Sequence, residues 1–221
     1  MTAIKTAVIT GGHSYEVIPF HTLFRALPGI DPIIQHIEDF VHAPQEVRDG
    51  YDALVFYIMP RGGPDGEPYR FGGRAEKAFG RLGETRQGIV MLHHAILAYP
   101  DWPKWDAVVG MQRRMITQYS HDERIPVQIA APEHPIVEGI SPWTIVDETY
   151  VLHDPGPDSQ VLLTTDHPAC MRALAWVRMY QNARVFCYES GHDHQAWEDA
   201  NFQKVLANGI RWVAGNFSDG G

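Results

Sequence analysis

Histidine is the residue with the most chemistry to offer, at 12 copies in 221 residues. Three histidine groups each follow a short apolar run closely. Gly11-Gly12-His13-Ser14-Tyr15 follows KTAVIT, His93-His94 follows GIVML, and Gly191-His192-Asp193-His194 comes shortly after ARVFCY. Imidazole titrates near neutral pH and ligates divalent metals, so it suits both proton transfer and metal binding. Glycines beside His13 let a ligand approach the backbone. Asp147-Glu148 adds a carboxylate pair fit for a general base or a metal ligand. The candidate catalytic groups are therefore His13, His93, Glu148 and His192. His13, His93 and His192 form the candidate metal set, because three imidazoles and one open position make a catalytic zinc site; manganese and iron are the other candidates. Gly12, Tyr15, Arg61, His94, Asp193 and His194 are the candidate substrate-binding residues. Arg61, next to Gly62-Gly63, suits an anion or a sugar hydroxyl. Cys187 lies inside an apolar run and reads as core, and Cys170 has no base near it in the chain. An acyl-transfer elbow would present Ser or Cys after GIVML, and His93 stands there instead, so nucleophilic catalysis finds little support.

The elements that must position these groups alternate at first. Residues 5–10, 32–37, 53–58 and 88–92 read as strands, and 17–27 and 74–82 as helices. Strand runs apolar throughout imply burial on both faces, hence a parallel sheet covered by helices. Further along, 127–131, 145–152, 161–165, 173–179 and 184–188 read as strands, the last two joined by a hairpin turn at Tyr180-Gln181-Asn182-Ala183. Asp147-Glu148 is read at the start of its strand. Asp199 caps a final helix with Phe202, Val205, Leu206, Ile210 and Val213 at helical spacing, and Gly215 stops it. One domain over 1–221 is expected, with a core of about 5–215 and a tail at 216–221. The acidic Gly/Pro stretch 60–73 is a loop suited to a lid. Ligands of open α/β sheets bind beyond the carboxyl ends of the strands, and all three histidine groups fall there.

The formal charge of −9 repels phosphate backbones and argues against nucleic-acid binding. Protonating all 12 histidines would carry it from −9 to +3, so charge-dependent behaviour should steepen below pH ~6.5. No apolar run reaches the ~20 residues of a membrane span, and no signal-peptide pattern opens the chain, so a cytoplasmic address is expected. Two cysteines make no disulfide framework. The glycines do not form a Gly-x-Gly-x-x-Gly fingerprint, so no nucleotide cofactor is expected. Tryptophans and tyrosines in loops leave a homo-oligomer as an expectation.

Several pieces, taken in order, resemble the ThuA-like family, named for trehalose utilisation. They are Val8-Ile-Thr-Gly-Gly-His-Ser-Tyr15, residues 51–57, Ile89-Val-Met-Leu-His93, residues 134–140, 147–152 and 161–165, Arg184 through His194, and Asn208-Gly-Ile-Arg-Trp212. The resemblance implies the flavodoxin-like, class I glutamine amidotransferase-like superfold, a three-layer α/β sandwich with a central, mostly parallel sheet. His93 then stands where amidotransferases carry their cysteine, and His192 resembles their downstream histidine. Met91 and His94 depart from the family pattern at the elbow, and Gln181-Asn182-Ala183 departs from it at a turn. The resemblance further implies a sugar ligand and a role in disaccharide catabolism through 3-keto glycosides, by elimination or hydrolysis. The alternative is a non-catalytic sugar-binding or regulatory module that kept the fold and lost the cysteine.

Overall fold

The computed structural model describes residues 2–64 and 73–216. Its strands, in chain order, are β1 (Ile4–Gly11), β2 (Ile30–His36), β3 (Ala53–Ile58), β4 (Gly88–Leu92), β5 (Tyr119–Ile129), β6 (Trp143–Tyr150), β7 (Gln160–Thr164), β8 (Ala173–Tyr180) and β9 (Ala183–Tyr188). The helices are α1 (Val17–Ala26), α2 (Ile37–His42), α3 (Gln45–Asp49), α4 (Arg74–Phe79), α5 (Pro103–Val109), α6 (His194–Trp197) and α7 (Ala200–Val213).

One sheet holds all these strands in the order β2-β1-β3-β4-β9-β8-β7-β5-β6. The half from β2 to β9 is parallel. The half from β9 to β6 is antiparallel. The sheet is therefore mixed, which corrects the expectation of a mostly parallel one. The reason is local. Only Gln181 and Asn182 separate β8 from β9, and a two-residue connection can join only antiparallel neighbours. Gln181 takes the positive φ (+52°) that the tight turn demands.

Of the parallel strands, β1, β3, β4 and β9 are buried along almost their whole length, as their apolar runs require, while β2 at the sheet edge is only partly buried. One face packs on α1 and α7, where Phe20, Leu23, Phe24, Val205, Leu206 and Ile210 are buried. The other packs on α2, α4 and α5 through Phe40, Phe79, Trp105 and Val108. Asp199 accepts the Phe202 N–H at 2.8 Å and starts α7 as its sequence predicts. Trp143 and Trp212 pack against the first of these cores, and Cys187 is buried in the second. No helix among the described residues is long and apolar enough to cross a membrane.

Two elements differ from expectation in ways that matter for the site. β5 begins eight residues before the predicted strand, because Tyr119-Ser-His-Asp-Glu-Arg124 is polar and shows no apolar alternation. Its ladder with β6 is bulged between Ser120 and Glu123. β6 also starts earlier, at Trp143, so Asp147 and Glu148 lie well inside it rather than at its start. The central part of the acidic loop, 65–72, and the tail from 217 fall outside the described residues.

Candidate functional site

The site forms where β1, β3, β4 and β9 end. After β4 the chain turns sharply into a short 3-10 helix, His93–Leu97, and His93 adopts φ +53°. A left-handed conformation in a non-glycine residue costs on the order of 1–3 kcal/mol and recurs at functional sites. His93 is fully buried. Its Nδ1 lies 2.7 Å from the Glu189 carbonyl oxygen. A carbonyl only accepts, so Nδ1 carries the proton and the Nε2 lone pair faces inward.

That lone pair meets two further donor atoms. His93 Nε2 is 3.1 Å from Glu148 Oε2 and 3.2 Å from His192 Nδ1. His192 Nδ1 is 3.1 Å from Glu148 Oε2. Tyr150 directs its hydroxyl at the same point, 2.7 Å from Glu148 Oε2 and 2.8 Å from His93 Nε2. Burial opposes ionisation of Glu148, but hydrogen bonds from His192 and Tyr150 and the adjacent His93 imidazole outweigh it and hold the carboxyl well below its usual range. The hydrogen bond to Glu148 raises the His192 imidazole above its ordinary value, against the opposing effect of burial.

Asp147, the other member of the pair, serves the backbone. Its Oδ2 accepts the Gly191 N–H at 2.6 Å, and its Oδ1 accepts the His192 and Glu148 N–H groups, each at 2.9 Å. Burial nevertheless raises its pKa. Tyr57 holds the same loop from β3, donating its hydroxyl to the His192 carbonyl at 2.9 Å.

His13 stands on one side of this group and His121 on the other. The His13 ring lies 6.0 Å from that of His192 and 4.7 Å from that of His94. Its Nδ1 donates to the Ser14 carbonyl at 2.7 Å, so Nε2 carries a lone pair. Burial, reinforced by His192 and His93, lowers its pKa and keeps it neutral at pH 7. His121 lies beside Asp122, which takes φ +57° in the β5 bulge. His121 Nδ1 is 3.4 Å from Glu148 Oε1, and its ring centroid is 5.0 Å from that of His192. Sequence reasoning missed His121 and Tyr150. Neither adjoins a glycine or another histidine, and only the fold of the β5–β6 ribbon brings them in.

The remaining predicted residues take different places. His94 is buried, with Nδ1 3.2 Å from the Ile58 carbonyl, and burial pushes its pKa well below the ordinary value. Tyr15 packs on Phe20 and Tyr57. Asp193 caps α6 by accepting the Gln195 N–H. His194 is drawn outward to Glu16, at 2.9 Å. Arg61 is exposed. Gly12, at φ +79°, leaves no room for a side chain, since a Cβ would lie 2.7 Å from the Met59 carbonyl carbon.

Among the described residues, His93, Glu148 and His192 are the group of side chains that could share a metal ion. Zinc bonds of about 2.0–2.1 Å set tetrahedral donor atoms about 3.3 Å apart. The observed 3.1–3.2 Å separations fit that spacing, and so does the tautomer of His93, fixed by a carbonyl behind it. His13 is not in the group.

The sequence matches the family model for trehalose utilisation, ThuA, over residues 36–213. The chain belongs to the ThuA family. A ThuA-like protein from Parabacteroides merdae superposes with a TM-score of 0.75 at 18% identity, covering 100% of this chain and 93% of the other. A second, from Bacteroides uniformis, gives 0.68 at 18% identity over 96% and 92%. A protein from Thermoplasma acidophilum, assigned to GMP synthase, gives 0.58 at 14% identity over 98% and 96%. At these identities the likeness establishes the amidotransferase-like fold alone. No curated protein matches the chain by sequence. In this ThuA chain the elbow after β4 presents an imidazole, and its two cysteines lie elsewhere, Cys187 inside β9 and Cys170 between β7 and β8. Burial raises both thiols far above the range where thiolate forms.

Proposed function

We propose that this ThuA protein acts on 3-keto glycosides and releases the group attached at C1, by elimination or hydrolysis. The observation that carries this reading is the triangle of His93 Nε2, Glu148 Oε2 and His192 Nδ1, closed at 3.1–3.2 Å. A neutral imidazole, His13, stands beside it.

A ketone at C3 acidifies the hydrogen on C2. The His13 Nε2 lone pair takes that proton. The electrons of the broken C2–H bond form the C1–C2 double bond as the C1–O bond breaks. The protonated His13 then returns its proton to the departing oxygen, so one molecule of alcohol is lost overall. Addition of water to the product converts the elimination into a hydrolysis. The transient negative charge rests on the C3 oxygen. Zinc, manganese or iron, held by His93, Glu148 and His192, would supply positive charge for that oxygen. Tyr150 holds the Glu148 carboxylate, and Asp147 holds the backbone of His192.

The test is metal analysis of untagged protein together with turnover of a 3-keto disaccharide. Near-stoichiometric metal is expected in the parent and is lost in His93→Ala and His192→Ala. His13→Ala should retain the metal and lose on the order of 10²-fold in turnover. Full turnover in His13→Ala and His192→Ala would overturn the reading. Saturable sugar binding by the parent without any turnover would make the protein a sugar-binding module instead.

A further inference from the structure

A second concavity opens beside the site, at the ends of β1 and β2. Its volume is about 290 Å³, and it is lined by Gly11, Gly12, His13, Tyr15, His21 and His36 together with Thr10, Ile34 and Gln35. Among the described residues no Lys, Arg, Asp or Glu is in that lining, so it carries no permanent charge, and its histidines are largely neutral above their ordinary titration range. The space is at the lower end of the ~300–1,000 Å³ typical of ligand pockets, which suits one small ring rather than a nucleotide.

Its polar groups have defined roles. His36 Nδ1 accepts the Glu38 N–H at 3.2 Å, so in the neutral ring the proton sits on Nε2. That Nε2 lies over Gly11, 2.9 Å from where a Cβ would stand. The cavity therefore offers a donor at His36. It offers an acceptor at His13, whose Nδ1 proton is taken by the Ser14 carbonyl. Tyr15 adds an aromatic surface, half-buried against Phe20 and Tyr57. Donor, acceptor and ring together fit a neutral group bearing hydroxyls.

His13 belongs to both places. Its ring lines this cavity and also faces His192. A substrate lying across the two would set the bond between its halves beside His13. We infer that the concavity between β1 and β2 is the leaving-group subsite, shaped for a neutral hydroxylated ring, with His21 and His36 determining which leaving groups are accepted. The inference rests on the reading of the site as a glycoside-processing centre.

Two variants test it. His36→Asn keeps a side chain able to cap α2 and removes the Nε2 donor. His21→Trp fills the cavity from α1, where His21 is only half-buried. Each would be assayed on a 3-keto disaccharide and on methyl 3-keto-glucoside, whose leaving group is too small to reach the cavity. One neutral hydrogen bond is worth about 0.5–1.5 kcal/mol, so His36→Asn should raise KM for the disaccharide roughly 2- to 13-fold. His21→Trp should raise it further, and both variants should leave the methyl glycoside unchanged. Equal effects on both substrates, or none on either, would remove the subsite while leaving the proposed function in place. If the parent turns over neither substrate, the proposed function falls and the subsite falls with it.

Discussion

The carbonyl oxygen of Glu189 accepts the Nδ1 proton of His93 at 2.7 Å. The contact joins the turn after β4 to the end of β9 and decides which nitrogen of His93 faces the site. It is made by the backbone, so the Glu189 side chain is free of that duty. The side chain is fully buried, and burial together with Asp147 raises its pKa well above the usual carboxyl range. The shift favours the uncharged acid over the carboxylate. Glu189→Gln should therefore change stability by no more than about 1 kcal/mol and leave metal affinity intact. Urea unfolding and a chelator-competition assay would measure the two. A large loss of either would mean that the side chain is ionised in the native protein.

Asp147 should behave in the opposite way. Its two oxygens accept three backbone N–H groups, from Glu148, Gly191 and His192. In Asp147→Asn one oxygen becomes an NH₂ group facing an N–H. The expected cost is about 1–3 kcal/mol, with a matching loss of metal affinity because His192 is no longer held. Parent-like unfolding and binding curves would contradict this assignment.

His121 separates site function from stability. It is half exposed on a bulge, so His121→Ala should cost under about 1 kcal/mol in urea unfolding, as surface changes do. The same change frees Glu148 Oε1. Loss of such an outer partner typically weakens a metal site by about 10- to 100-fold. Zinc affinity equal to that of the parent would show that His121 has no part in holding Glu148.

The buried histidines give a pH dependence with a definite sign. Burial lowers the folded-state pKa of His94 and of His134 below 6.5. The unfolded chain then binds protons that the folded chain refuses. The stabilising contribution is complete above pH 6.5 and is lost as pH falls toward the folded values. His94, the more strongly shifted, has a limiting slope of about 1.4 kcal/mol per pH unit. His94→Gln retains a donor toward the Ile58 carbonyl and removes the titration. Its unfolding midpoint should therefore fall less than that of the parent between pH 6.5 and 5. Parallel curves for the two proteins would show that His94 does not contribute.

Much of this architecture is legible in the chain alone. The runs KTAVIT, ALVFYI and GIVML name three strands and their burial, because only a strand covered on both faces is apolar without alternation. Phe20, Leu23 and Phe24 give α1, and Asp199 marks the start of α7. Placement at strand ends was enough to bring His13, His93 and His192 into one region, since residues that follow parallel strands share an edge by geometry.

The rest depended on contacts between residues far apart in sequence. Glu148 lies on a strand that, among the described residues, is at the sheet edge and pairs with β5, and no local pattern says that the β5–β6 ribbon brings it to His93, 55 residues away in sequence. His121 sits in a polar run with no apolar alternation, so its strand and its bulge were invisible to periodicity. The sequence determined which groups with useful chemistry sit at the carboxyl edge, because strand order and local polarity are enough for that. The tertiary structure decided that His93, Glu148 and His192 converge while His13 stands apart, because the His93 ring is oriented by the distant Glu189 carbonyl and the His13 ring by its neighbour Ser14.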